Sequence, residues 1–141
     1  MTTGSLGTPL GRKLGIRQGD RVGTFGAPSS LTALLDPLPG GASLVRSPRS
    51  PCAVLIVFAT TGPELDIRFL RAVALLPADG GLWVAWPKQA SGVDTDLDFA
   101  EVQALGLEAG LVDTKVAAID DTWSGLRFVV RTTDREGWSP A

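Results

Sequence analysis

Eight consecutive apolar residues, Cys52 to Ala59 (CAVLIVFA), constrain the fold more than anything else in this chain. Side chains on a strand alternate between two faces. A run that is apolar at every position must therefore be covered on both sides. Its Val, Ile and Phe content favours a strand, and its length is that of a buried strand, too short to cross a membrane. A strand buried on both faces belongs in the middle of a parallel sheet, with helices packed above and below.

The flanking segments supply those neighbours. RVGTF (21–25) reads as a strand, followed by the glycine turn Gly26-Ala27-Pro28-Ser29-Ser30. The helix PSSLTALLD comes next, with Leu31, Leu34 and Leu35 on one face, and Pro37, Pro39, Gly40 and Gly41 end it. ASLV (42–45) is a short strand and RSPRSP (46–51) a loop. The clearest helix is TTGPELDIRFLRAVALLP (60–77): Leu65, Phe69, Ala72, Val73 and Leu76 recur at helical spacing, and Thr61-x-x-Glu64 forms a capping box. LWVAWP (82–87) is a strand, whose Trp83 and Trp86 face opposite sides of the sheet. A helix is expected over 96–109, stopped by Gly110. TKVAAI (114–119) and LRFVVR (126–131) are strands joined by DDTWSG, a link too short for a crossover helix, so they form an antiparallel hairpin. Upstream, TPLGRKLGI (8–16) holds a short helix with Thr8 as cap and Pro9 at the first helical position. The expected organisation is a flexible N-terminus over 1–7, one α/β domain over 8–132, and a flexible, patternless tail over 133–141.

Composition narrows the chemistry. The 141 residues contain no histidine, no tyrosine and one cysteine. His bases, Ser-His-Asp and Cys-His nucleophile systems and His-ligated metals are excluded, and no clustered Asp/Glu loop suggests a metal. Cys52, at the start of the buried strand, reads as a small hydrophobe. A lone cysteine admits no intramolecular disulfide, which fits a cytoplasmic setting. The net charge of −2 gives no general attraction to nucleic acid or anionic membrane. The expected partner is a small molecule or another protein.

Two resemblances enter at the level of whole segments. CAVLIVFATTGPELDIRFLRAVALLPADGGLWVAWPK, followed by ALGLEAGLVDTKVAAIDDTWSGLRFVVR, resembles the C-terminal half of class I S-adenosylmethionine methyltransferases, and QGDRVGTFGAP resembles their first strand and glycine loop. The segments TPLGRKLGI, ALLPADGGLWVAWPKQASGVDTDL and GLVDTKVAAIDDTWSGLRFV are similar to an uncharacterised actinobacterial family known only as a domain of unknown function. The resemblance implies a three-layer Rossmann-like fold with a mostly parallel sheet of about six strands and a C-terminal antiparallel hairpin. It also implies a cofactor cradle at Gly26. Three departures bear on that cradle. Only Gly26 remains of the glycine loop, with Ala27 and Pro28 after it. The place of the acid that would hold the ribose falls near Arg46. RSPRSP leads directly into the central strand, so a helix and a strand that wall the adenine pocket are missing.

Open α/β sheets bind ligands outside the carboxyl ends of their strands. The topology gathers Gly26, Ser29, Ser30, Thr60, Thr61, Lys88, Ser91, Asp120, Asp121, Trp123 and Ser124 there. These are the candidate site residues, with Trp123 in the hairpin turn. The structural alternative is that Lys88 pairs with Asp120 or Asp121 and pins the hairpin. The preferred functional reading is a non-catalytic binding or interaction domain on a degenerate methyltransferase-like fold, with no cofactor and S-adenosylmethionine disfavoured. Two alternatives stay open. One is an S-adenosylmethionine-dependent methyltransferase with an unusual pocket. The other is a binder of a phosphorylated small molecule, held by Ser29 and Ser30 at a helix start and by Arg46 and Arg49.

Overall fold

The computed structural model describes residues 9 to 140. The expected flexible segment 1–7 and the proposed Thr8 cap lie outside the described residues. In chain order the elements are α1 (Leu10–Lys13), β1 (Arg21–Phe25), α2 (Leu31–Leu35), β2 (Ser43–Arg46), β3 (Val54–Phe58), α3 (Gly62–Val73), β4 (Gly81–Pro87), α4 (Phe99–Glu108), β5 (Leu111–Ala118) and β6 (Trp123–Val130). They build one six-stranded sheet in the order β2-β1-β3-β4-β6-β5. The first four strands in that order are parallel, and β6 runs antiparallel between β4 and β5. This is the mixed, Rossmann-like α/β sheet that the apolar run and the final hairpin implied.

All five residues of β3 are buried. Leu55 and Val57 face one core, with Leu65, Phe69 and Ala72 of α3 and Val102 of α4. Val54, Ile56 and Phe58 face a second core, closed by Leu14, Ile16, and Leu31 and Leu35 of α2. Trp83 and Trp86 divide between the two cores, as their spacing requires. The layers are therefore unequal: two long helices cover one face, while short helices and loops cover the other. Among the described residues, no helix is long and apolar enough to cross a membrane.

The cap of α3 differs from a simple capping box. Thr61 accepts a hydrogen bond from Glu64 N at 3.3 Å. Glu64 Oε1, however, reaches one residue further back than the motif implies, to Thr60 N at 3.1 Å and the Thr60 hydroxyl at 3.2 Å. The bond from Thr60 N is the main cause holding the Glu64 carboxyl below its ordinary value, and the Thr60 hydroxyl and Arg68 act in the same direction. A carboxyl that is more acidic folded than unfolded contributes stability in full above its unfolded pKa. That contribution is lost as pH falls through the lowered value. Denaturant unfolding of wild type and Glu64→Gln from neutral to acidic pH should show the wild-type advantage shrinking in that window. An advantage independent of pH would rule this cap out as the source.

Four expectations are corrected. Pro9 is the N-cap of α1 and not its first helical residue. Helix α4 starts at Phe99, not 96, because Asp98 caps it by accepting from Glu101 N at 2.9 Å, while Thr95 and Asp96 are drawn off to the start of α3. Trp123 is the first residue of β6, not part of the turn, and pairs with Pro87. The patternless tail carries structure as far as Trp138: Thr132–Gly137 wind into a 3-10 helix, and the Trp138 indole packs on the α3 core and donates to Leu76 O at 2.7 Å. A large ring with one N–H finds both apolar cover and an acceptor there.

Candidate functional site

The carboxyl edge of the sheet begins at the end of β1. Gly26 has φ of 71°, a conformation that favours glycine. A Cβ placed on it would lie 2.8 Å from Phe58 O and 2.7 Å from the Arg68 guanidinium carbon. Arg68 comes from the second turn of α3 and lies across this bare backbone. It donates to Phe58 O at 2.7 Å and sits 3.7 Å from Glu64 Oε1. The glycine turn is thus a cradle, with a guanidinium laid over it.

Most of the other polar groups at this edge hold loops in place. Thr60 O accepts from the Thr95 hydroxyl at 2.6 Å, and Gly62 N donates to Asp96 Oδ1 at 2.9 Å. These two bonds fold the segment before α4 over the end of β3. The Ser91 hydroxyl donates to Lys88 O at 2.6 Å inside the short 3-10 turn Gln89–Ser91. Asp120 Oδ1 accepts from Thr122 N and Trp123 N, each at 2.8 Å, and so shapes the β5–β6 turn. Trp123 packs edge-on against Phe58, with ring centroids 5.1 Å apart.

Lys88 and Asp120 do reach the same edge. Lys88 N donates to Thr122 O at 2.8 Å, so the end of β4 and the turn after β5 are in contact. The pinning comes from this backbone bond. The one ion pair among the described residues is Glu64–Arg68, so the Lys88–Asp120 pairing is not made. Ser124 lies within β6, opposite Trp86 and Ala118, and Asp121 is exposed in the turn. Ser29 and Ser30 are exposed and precede a helix of five residues in which the Ser30 side chain makes no cap. A helix that short has little dipole to offer an anion. Arg46 ends β2 opposite Thr24, at the place where the resemblance would put an acid.

Sequence reasoning missed Glu64 and Arg68 as site residues, and Thr95 and Asp96 with them. The pair has visible four-residue helical spacing. Its arrival at Gly26 depends on the packing of α3 against the sheet, which no local pattern encodes.

No family model and no curated protein matches the chain. Solved structures match its architecture. An S-adenosylmethionine-dependent methyltransferase from Aquifex aeolicus superposes with a TM-score of 0.58 at 11% identity, over 83% of this chain and 85% of its own. The precorrin-6y C5,15-methyltransferase of Geobacter metallireducens gives 0.59 at 11% identity, over 92% and 90%. DhpI in complex with SAH gives 0.59 at 10% identity, over 85% and 81%. The fold is therefore that of class I methyltransferases.

These findings correct the expectation of no cofactor. The neighbours include DhpI structures with SAH and with SAM. This architecture carries the cofactor there, and a shortened glycine loop is no ground for excluding it here.

Proposed function

We propose that the protein is a methyltransferase-type domain that binds S-adenosylmethionine across the carboxyl ends of β1 and β3, with Arg68 meeting the cofactor's carboxylate. The observation that carries this reading is the bare Gly26 backbone under the Arg68 guanidinium. A planar, permanently charged donor fork suits a carboxylate, and the missing Cβ of Gly26 is what lets that fork lie against the main chain at this edge. The fit is confined to the amino-acid end of the cofactor. At the ribose end Arg46, opposite Thr24 in the register, stands where the resemblance would put an acid. S-adenosylmethionine would bring an activated methyl group to this edge. The chain's own part is to hold the cofactor's amino-acid end at Gly26 and Arg68, and to keep the β3 end covered through Thr95 and Asp96. The likeness to the small actinobacterial family belongs to the same proposal, resting on the segments quoted for it.

Calorimetric titration with S-adenosylmethionine and S-adenosylhomocysteine tests the reading. Saturable binding is expected for both. Arg68→Ala should weaken it about ten- to a hundredfold, the equivalent of one charge-assisted hydrogen bond. Lys88→Ala should leave it unchanged. Absence of saturable heat at millimolar cofactor, or equal affinity in Arg68→Ala, would overturn it.

A further inference from the structure

The opposite, amino edge of the sheet carries a polar cleft that plays no part in the proposed cofactor site. We propose that this cleft binds the phosphate of a small phosphorylated polyol, with Arg127 as its floor and Arg17 as its wall. A cavity of about 280 Å³ is lined by Arg17, Asp20, Asp79, Gly81 and Arg127, among others. It adjoins a groove of about 1000 Å³ that shares Arg17 and Arg127 and adds Arg12.

Arg127 reaches this place from β6, where it stands opposite Trp83. Its guanidinium lies on the bare backbone of Gly81, where a Cβ would come within 2.9 Å of Nε and Nη2. It donates to a neutral hydroxyl, Thr114 Oγ1, at 3.3 Å. No carboxylate is within ion-pair distance of Arg17 or Arg127 among the described residues, where the single pair is Glu64–Arg68 at the other edge. Partial burial, then the nearby charges of Arg17 and Arg135, push the Arg127 pKa below its ordinary value. Arginine keeps its proton in such surroundings, so the free protein holds like charges together at the border of its core. An anion seated between them relieves that repulsion, and guanidinium forks match phosphate oxygens.

The carboxylates decide what is attached to the phosphate. Asp20 Oδ2 accepts from Arg17 N at 2.8 Å, and Asp79 is exposed at the rim. Carboxylates beside the arginines repel a long polyphosphate, but they accept hydrogen bonds from hydroxyl groups. Together with the net charge of −2, this favours one phosphate carrying hydroxyls over a nucleic-acid backbone.

The test is calorimetric titration in low-salt buffer free of phosphate, using glycerol phosphate, inorganic phosphate and glycerol, with an RNA oligonucleotide as comparison. Glycerol phosphate should bind, inorganic phosphate should bind more weakly, and glycerol should give no heat. Arg127→Gln and Arg17→Gln should each weaken binding at least about tenfold, the value of one charged hydrogen bond. Arg17 is exposed, so its variant stays informative should Arg127→Gln fold poorly. Titration of Arg17→Gln with S-adenosylhomocysteine should match wild type, which separates this cleft from the site at Gly26. No heat from either phosphate compound, undiminished binding in Arg17→Gln, or binding of RNA alone would overturn the proposal.

Discussion

Trp83→Ala should cost about 3–5 kcal/mol of folding stability, the range for removing a large buried aromatic side chain. The residue is fully buried and sits between Ile56 of β3 and Arg127 of β6 in the sheet register. Its indole N–H donates to Leu14 O at 2.9 Å, and the Lys115 ammonium lies 5.9 Å from its ring centre. Two losses therefore combine. The cavity removes packing from the face that carries only short helices, and Leu14 O is left buried without its donor. Trp83→Phe separates them, because it keeps most of the ring volume and loses the hydrogen bond. That variant should cost about 1–3 kcal/mol, the penalty of one unsatisfied buried group. Urea unfolding at constant m-value measures both. A loss below about 1 kcal/mol for Trp83→Ala would mean that residues 10–16 do not close that face.

Leu55→Ala should destabilise by about 2–5 kcal/mol, the span for a buried leucine in a core that relaxes only in part. Leu55 is fully buried on the central strand, paired with Gly23 on one side and Leu82 on the other. A Cβ on Gly23 would sit 3.1 Å from Leu55 Cδ2 and 2.8 Å from Cys52 Sγ, so the leucine fills space that the glycine vacates. Shortening it opens a void that neighbouring strand backbone cannot fill without breaking the parallel ladder. Ile56→Val on the opposite face should cost only about 0.5–1.5 kcal/mol. Near-equal values for the two variants would show that the two cores are not packed alike around β3, contrary to their equal burial.

Much of the sheet was legible because its signals are local. The apolar run at 52–59 required a two-sided strand, and the short link through Asp120 to Gly125 allowed only a hairpin. The apolar spacing of Leu65, Phe69 and Ala72 placed α3 on its core. Boundaries failed where a polar side chain had two uses. Residues 94–98 look like a helix entry, but Thr95 and Asp96 bind the end of β3 and the start of α3, which leaves Asp98 to begin α4. Trp123 lay among turn formers in the sequence, and its place in β6 follows from edge-on packing against Phe58. Trp138 had no periodic neighbours to mark it, and its anchor at Leu76 is 62 residues away in the chain.

The candidate site divides along the same line. By itself the sequence determined which residues reach the carboxyl edge, because strand direction and short connections leave few choices: Gly26, Thr60, Lys88 and Asp120 all arrive there. It determined nothing about how those polar groups are used. Only the tertiary structure decided that Thr60 binds Glu64 of α3, that Ser91 and Asp120 bind their own loops, and that Arg68 crosses from α3 to lie over Gly26. It also brought Arg17 and Arg127, distant in sequence, to one cleft at the far edge. The physical reason is range. Propensity and periodicity act over a few residues and set backbone direction. A hydrogen bond or a charge pair is settled by whichever partner the packed core brings within about 3 Å.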